Sequence, residues 1–159
     1  MEIRPLRSHD LVHVRELHRK LLPVAYPPAF FLQLLIVPDR LCLVAADAGV
    51  PVAFVSAALH GIDAIAPRSP RIELLTLGVA PAYQHSGLAS LLVRRIHDAL
   101  RLKTRPDAAV VTSAHVATTN ARAIAFYQHL GLYVIPEVLQ GFYRTASGPK
   151  DAFLVMGVL

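Results

Sequence analysis

Residues 74–93 read LLTLGVAPAYQHSGLASLLV, and the way this stretch divides decides the fold. Its first part closes an apolar segment, 71–79, suited to a strand, and Pro81 ends that segment. From Ser86 to Leu102 the apolar residues Leu88, Leu91, Leu92, Ile96 and Ala99 recur at helical spacing, which predicts a helix over 86–102. Between strand and helix lies Tyr83-Gln84-His85-Ser86-Gly87-Leu88-Ala89-Ser90, with one glycine and no Lys or Arg.

The first N–H groups of a helix have no intrahelical acceptor, and the helix dipole adds partial positive charge there. A pyrophosphate can sit on such a terminus without a charged side chain. Gly87 lets a ligand approach the backbone, Ala89 is small enough to keep that approach open, and Ser86 and Ser90 can donate hydroxyls. The same residues also suit a plain strand-to-helix turn. Their spacing matches neither G-x-x-x-x-G-K-[ST] nor G-x-G-x-x-G, which argues against a nucleoside-triphosphate loop and a dinucleotide fingerprint.

Working outward, residues 2–6 form a short strand. Ser8 reads as an N-cap with Asp10 in the first turn, and Leu11, Val14, Leu17 and Leu21 share one helical face. LPVAYPPAF (22–30) is a stiff loop leading to a short helix that ends near Leu35. Two apolar strands, 41–46 and 51–60, are joined by the hairpin signal Asp47-Ala48-Gly49, and a Pro-containing link spans 61–70. After the central helix come a strand (108–115), a helix opened by Asn120 and closed by Gly131, a strand at 132–135, an aromatic loop, and a last strand at about 151–158. The order implies one α/β (α+β) domain over 1–159, with a mixed sheet and helices on both faces.

With 54% hydrophobic and 17% charged residues the chain can bury a real core and is unlike a disordered segment. Its apolar segments stop well short of the ~20 residues a membrane span needs. Met1-Glu2-Ile3-Arg4 runs straight into structured sequence with no signal-peptide pattern. Cys42, the only cysteine, sits in an apolar run as a buried thiol, and a cytoplasmic or nuclear location is expected. The net charge of +5 suits an anionic partner. The loose cluster Arg94, Arg95, Arg101, Lys103 and Arg105 has no interleaved aromatics to stack bases, so an anionic cofactor explains the charge at least as well as nucleic acid. No metal site is expected, since His9 and His13 have no third ligand.

Residues 74–93 resemble motif A of the GNAT acyltransferases, whose core [QR]-x-x-G-x-[GA] is here Gln84-His85-Ser86-Gly87-Leu88-Ala89. NARAIAFYQHLGL (120–132) resembles motif B of that family, with Asn120, Ala123, Phe126, Tyr127 and Gly131 in place. The resemblance implies the GNAT fold, a mostly antiparallel sheet of about seven strands, and acetyl-CoA as cofactor. It implies that Leu77 and Val79 pair with the pantetheine arm. Gln84, His85, Ser86, Gly87, Leu88, Ala89 and Ser90 would hold the pyrophosphate, and Asn120 and Tyr127 would face the thioester.

Further stretches resemble the catalytic subunit of NatE-type protein N-terminal acetyltransferases, and secondarily the NatF type. LPVAY (22–26) is similar to their F-P-V-x-Y substrate loop, TLG (76–78) and SAHV…TN (113–120) to their T-L-G strand and L-H-V-x-x-x-N segment, and GFYR (141–144) to their paired-aromatic loop. The activity implied is transfer of acetyl to the α-amine of Met-starting protein N-termini, with a possible auxiliary subunit. His115 is the candidate base, because imidazole titrates near operating pH. Tyr127 would protonate or orient the leaving thiolate. Leu22, Pro23, Val24, Tyr26, Leu75, Phe142 and Tyr143 would contact the first residues of the acceptor.

Two positions depart from that subfamily. Glu73 stands where it has a catalytic tyrosine, and Leu22 replaces the loop's first aromatic. By strand parity Glu73 would share a face with Leu75 and Leu77, where it could act as base through a water or remain a surface charge. A lysine or small-molecule acceptor stays open, as does a catalytically feeble subunit that binds acetyl-CoA or peptide within a larger complex.

Overall fold

The computed structural model describes residues 1–62 and 69–159, so most of the predicted link 61–70 lies outside the described residues. The elements are β1 (Glu2–Pro5), α1 (Leu11–Leu21), α2 (Pro28–Ile36), β2 (Arg40–Asp47), β3 (Val50–His60), β4 (Arg71–Val79), α3 (Leu88–Arg101), β5 (Val111–Ala117), α4 (Ala121–His129), β6 (Tyr133–Thr145) and β7 (Gly148–Gly157). The strands form one seven-stranded sheet in the order β1-β2-β3-β4-β5-β7-β6. Only β4 and β5 run parallel, joined through α3, and every other pair is antiparallel. This is the mixed α+β sheet expected from the sequence.

One face of the sheet takes α1 and α2, where Val14, Phe31 and Leu34 pack with Cys42, Val44 and Phe54. The other takes α3 and α4, and the buried residues of α3 are Leu88, Leu92, Val93, Ile96, His97 and Leu100. Each of the buried aliphatic side chains contributes ~1.5–3 kcal/mol by leaving water. Leu91, expected on that face, is exposed, because α3 packs on the sheet through the stripe 88, 92, 93, 96 and 100. No helix of the described residues is long and apolar enough to cross a membrane.

Three local expectations are corrected. Ser8 is not an N-cap: residues 8–10 form a short 3-10 turn, and Asp10 caps it backward by accepting from the Arg7 amide at 2.8 Å. Asp10 is buried in a two-pronged ion pair with Arg4, at 2.7 and 3.0 Å, so its carboxylate ties β1 to α1. The Arg4 hydrogen bond holds that carboxyl below its ordinary pKa. The aromatic loop expected between the strands at 132–135 and 151–158 is instead largely part of β6 (Tyr133–Thr145), which bends at register shifts near Pro136 and Gly141 and stays paired to β7. The strand expected at 108–115 lies at Val111–Ala117.

The decisive irregularity is in β4. Ser56 pairs with Thr76 but Ala57 pairs with Leu74, which leaves Leu75 as a bulged residue. A one-residue bulge exchanges the faces of all that follows. Thus Glu73 and Thr76 lie on the α1 side while Leu74 and Leu77 join the α3 core, and the parity assumed from sequence does not hold. Thr76 accepts or donates to Ser56 at 2.5 Å and meets buried His18 at 3.0 Å. His18 stacks on Phe54 at 3.7 Å, and a side chain at Gly78 would come within 2.5 Å of that Phe54 ring. The glycine of TLG is thus required by packing beneath the strand.

Candidate active site

The parallel ladder between β4 and β5 runs from Arg71–Val111 to Leu74–Ala114 and stops. Beyond it Leu75, Thr76 and Leu77 line one lip of a cavity of about 160 Å³, and His115, Val116 and Ala117 line the other. A larger groove of about 560 Å³ adjoins it, along Leu77–Val79 and the start of α3. Leu22, Leu77, Asn120, Ala123 and Tyr127 line both, so pocket and groove meet beside α4.

The groove contains the turn on which the sequence turned. Pro81–Tyr83 make a 3-10 turn, His85 has φ +60°, and Gly87 has φ +80° as the N-cap of α3. That left-handed cap lets the chain enter α3 with its first amides facing the groove, a conformation glycine adopts without strain. A Cβ on Gly87 would meet nothing within 4 Å, so the backbone is uncovered at this residue. Gln84, His85, Gly87, Leu88, Ala89 and Ser90 line the groove; Ser86 does not, and its hydroxyl donates to the Tyr83 carbonyl at 2.6 Å. The Gln84 side-chain amide donates to the Val79 carbonyl at 2.9 Å, which fixes the turn against the strand. Free amides, a cleared approach and the groove's length fit a pyrophosphate-bearing acyl carrier.

The pocket is assembled from separate segments. Leu22, Pro23, Val24 and Tyr26 come from the loop after α1, Leu75 from the bulge, and Tyr143, Thr145 and Lys150 from the β6–β7 hairpin. Burial raises the phenol pKa of Tyr26 and Tyr143, with the neighbouring phenols Tyr26 and Tyr127 adding to the effect on Tyr143. Tyr127, on α4, is pushed up to about 12 by burial and stays protonated. Asn120 caps α4 by accepting from the Ala123 amide at 3.2 Å. Phe142 does not line the pocket; its ring stacks on His115 at 4.2 Å and edges against Tyr143 at 4.9 Å.

His115 lines the pocket and Glu73 does not. Burial lowers the His115 pKa below the ordinary imidazole value, and the Glu73 charge partly opposes that. Glu73 Oε2 is 3.8 Å from His115 Nδ1, while its Oε1 is 3.0 Å from Nε2 of His60 on β3. Sequence reasoning missed His60, Thr145 and Lys150. No spacing signals them, because strand register and the hairpin's fold-back bring them to the site.

The sequence profile described as the acetyltransferase (GNAT) family matches residues 11–132. The chain belongs to that family. This acetyltransferase is 27% identical over 171 aligned residues to the histone acetyltransferase MCC1 of Arabidopsis thaliana, an alignment covering 95% of the chain and 67% of the relative. Its fold is similar to that of Arabidopsis thaliana NAA60 in complex with a bisubstrate analogue, with TM-score 0.83, 22% identity and coverage of 99% and 97% of the two chains. It is also similar to Arabidopsis thaliana Naa50 in complex with the bisubstrate analogue CoA-Ac-MVNAL, with TM-score 0.81, 22% identity and coverage of 99% and 98%. Residues 11–132 of the acetyltransferase include the groove, β5 and α4, whereas the β6–β7 hairpin that closes the pocket lies outside the matched segment.

Proposed function

We propose that this acetyltransferase uses acetyl-CoA to acetylate the α-amine of protein N-termini, Met-starting ones first among them. The observation that carries this is the small pocket, about 160 Å³, walled by Leu22, Pro23, Val24, Tyr26 and Tyr143 and opening onto the groove at Asn120 and Tyr127. Its size suits one apolar side chain next to a free chain end. The similarity to Naa50 bound to the bisubstrate analogue CoA-Ac-MVNAL, which carries a Met-starting peptide, supports the same acceptor class.

Acetyl-CoA supplies the thioester carbonyl that the acceptor amine attacks, forming a C–N bond as the C–S bond breaks. An α-amine has a pKa of ~7.7–8.0, so a proton must leave it before or during attack. With its Nδ1 turned toward Glu73, His115 offers Nε2 to take that proton, directly or through one water. The Tyr127 phenol, held protonated, donates to the leaving sulfur. Positioning of the two reactants supplies most of the rate.

A thiol-release assay tests the assignment with Met-starting peptides, N-blocked lysine peptides and a polyamine. Release with the free N-termini and their N-blocked forms inert is the expected result. The name of the Arabidopsis histone acetyltransferase relative favours a second reading, lysine side chains, and release only with N-blocked lysine peptides would establish it. Acetyl-CoA binding without release to any acceptor would leave a binding subunit in place of an enzyme.

A further inference from the structure

Glu73 stands at the centre of a line of three titratable side chains drawn from three adjacent strands. On β3 its register partner is Ala58 and on β5 it is Ser113, both small. Small partners leave room for the residues two positions farther along each strand, which are His60 and His115. His60 Nε2 lies 3.0 Å from Oε1, a hydrogen-bonding distance, and His115 Nδ1 lies 3.8 Å from Oε2, within reach of the charge but too far for a direct hydrogen bond. The three side chains are partly exposed, at 36%, 28% and 23% for His60, Glu73 and His115. Phe142 covers the His115 ring on one side, which keeps the imidazole from turning away from Glu73. Among the described residues no three such groups are arranged to hold a metal ion, so the line is not a metal centre.

We propose that His60 is a positioning residue for the acetyl-transfer step: by binding one oxygen of Glu73 it holds the other 3.8 Å from His115 Nδ1, where the carboxylate charge favours the proton on Nδ1 and leaves Nε2 free to act as base. The proposal rests on the assignment of His115 as base, and it gives Glu73 a role other than direct proton abstraction. A carboxylate with one oxygen unheld rotates about its last bond and loses its aim. Outer partners of this kind set the tautomer of an imidazole and stabilise its protonated form. Other charged or titratable groups near the line are Arg71, paired with His60 across β3 and β4, and Lys150, Tyr26, Tyr127 and Tyr143 around the pocket. None of them lies within salt-bridge reach of Glu73, whose described ion pairs are with His60 and His115.

The test is a double-mutant cycle of His60→Ala and Glu73→Gln, with His60→Gln as rescue, read by both turnover and imidazole 15N shifts. His60→Ala is expected to lower kcat about tenfold while KM for acetyl-CoA and for peptide stays within about twofold, and His60→Gln, whose amide can donate to the same oxygen, is expected to restore most of it. The double variant is expected to be no slower than Glu73→Gln alone. In the protein without acetyl-CoA, 15N shifts of His115 are expected to report the Nδ1–H form, and a tautomer mixture in His60→Ala.

Additive losses in the cycle, failure of the glutamine rescue, or an unchanged His115 tautomer in His60→Ala would overturn the proposal. If the wild type releases no thiol with peptide N-termini, the acceptor assignment fails instead. The tautomer measurement still decides the role of His60, because it needs no acceptor.

Discussion

The two ends of the cleft are made from the chain in opposite ways. At the groove end a single stretch, Gln84 to Ser90, supplies most of one wall, and what it offers is backbone: amides at the start of α3, opened by the left-handed Gly87. At the pocket end the wall is side chains from the loop after α1, the β4 bulge, β5, α4 and the β6–β7 hairpin. As the proposed binding site for a feature common to every acyl-CoA, the backbone end should tolerate wide side-chain change provided the turn forms. The side-chain end, proposed to select the acceptor and move a proton, depends on register across strands far apart in sequence.

Substitutions at the two ends are therefore expected to separate cleanly. The largest effect is predicted for His115→Ala, which should lower kcat ~100- to 1,000-fold while acetyl-CoA affinity measured by calorimetry stays within about twofold. Loss of acetyl-CoA binding with turnover surviving at saturation would make His115 a structural residue and dissolve the division.

Next comes acid stability, which should reveal what underlies the pocket end. His18 is 1% exposed, contacts the rings of Tyr26, Phe30 and Phe31, and meets Thr76 under β4. Burial lowers its pKa from 6.5 to about 4. The unfolded chain takes up a proton below pH 6.5 that the folded chain resists until about pH 4, so stability falls as pH drops through that window and levels off below it. The loss amounts to about 3 kcal/mol at most, from ~1.4 kcal/mol per pKa unit. Urea unfolding at pH 7.5 and 4.5 measures it, and in His18→Phe the part of the pH dependence due to this residue should vanish.

At the groove end, Gly87→Val places a branched side chain at φ +80° where the backbone is uncovered. Acetyl-CoA affinity is expected to fall ~30-fold through strain and obstruction together. Peptide KM at saturating acetyl-CoA should stay near wild type, and a matching rise in peptide KM would show that the two ends are not independent.

The smallest and most discriminating effect is predicted for Glu73→Gln. Turnover should fall ~10-fold. The carboxylate raises the His115 pKa against burial, so removing its charge lowers that pKa further and should move the acid limb of kcat to lower pH. A shift to higher pH would mean that Glu73 does not act on His115.

What the sequence determined by itself is what neighbouring residues decide among themselves. The apolar run 71–79 placed β4, the 3.6-residue period placed α3, Asn120 and Gly131 bracketed α4 with the Asn120 cap formed as read, and Gly87 marked the turn. Hydrogen bonds a few residues apart and local glycine chemistry set those features, so they survive without knowledge of the fold. The segment after residue 135 reads from the sequence as an aromatic loop, whereas pairing with β7 carries β6 through Pro136 and Gly141 as bends. Strand parity misplaced Glu73 relative to Leu77, because the bulge at Leu75 is set by β3 pairing and not by β4's own residues. The meeting of His60, Glu73 and His115, and the closing of the pocket by Tyr143 and Lys150, were decided only in the tertiary structure. Register between strands is fixed by the whole core packing at once, and a shift of one residue sends every later side chain to the other face.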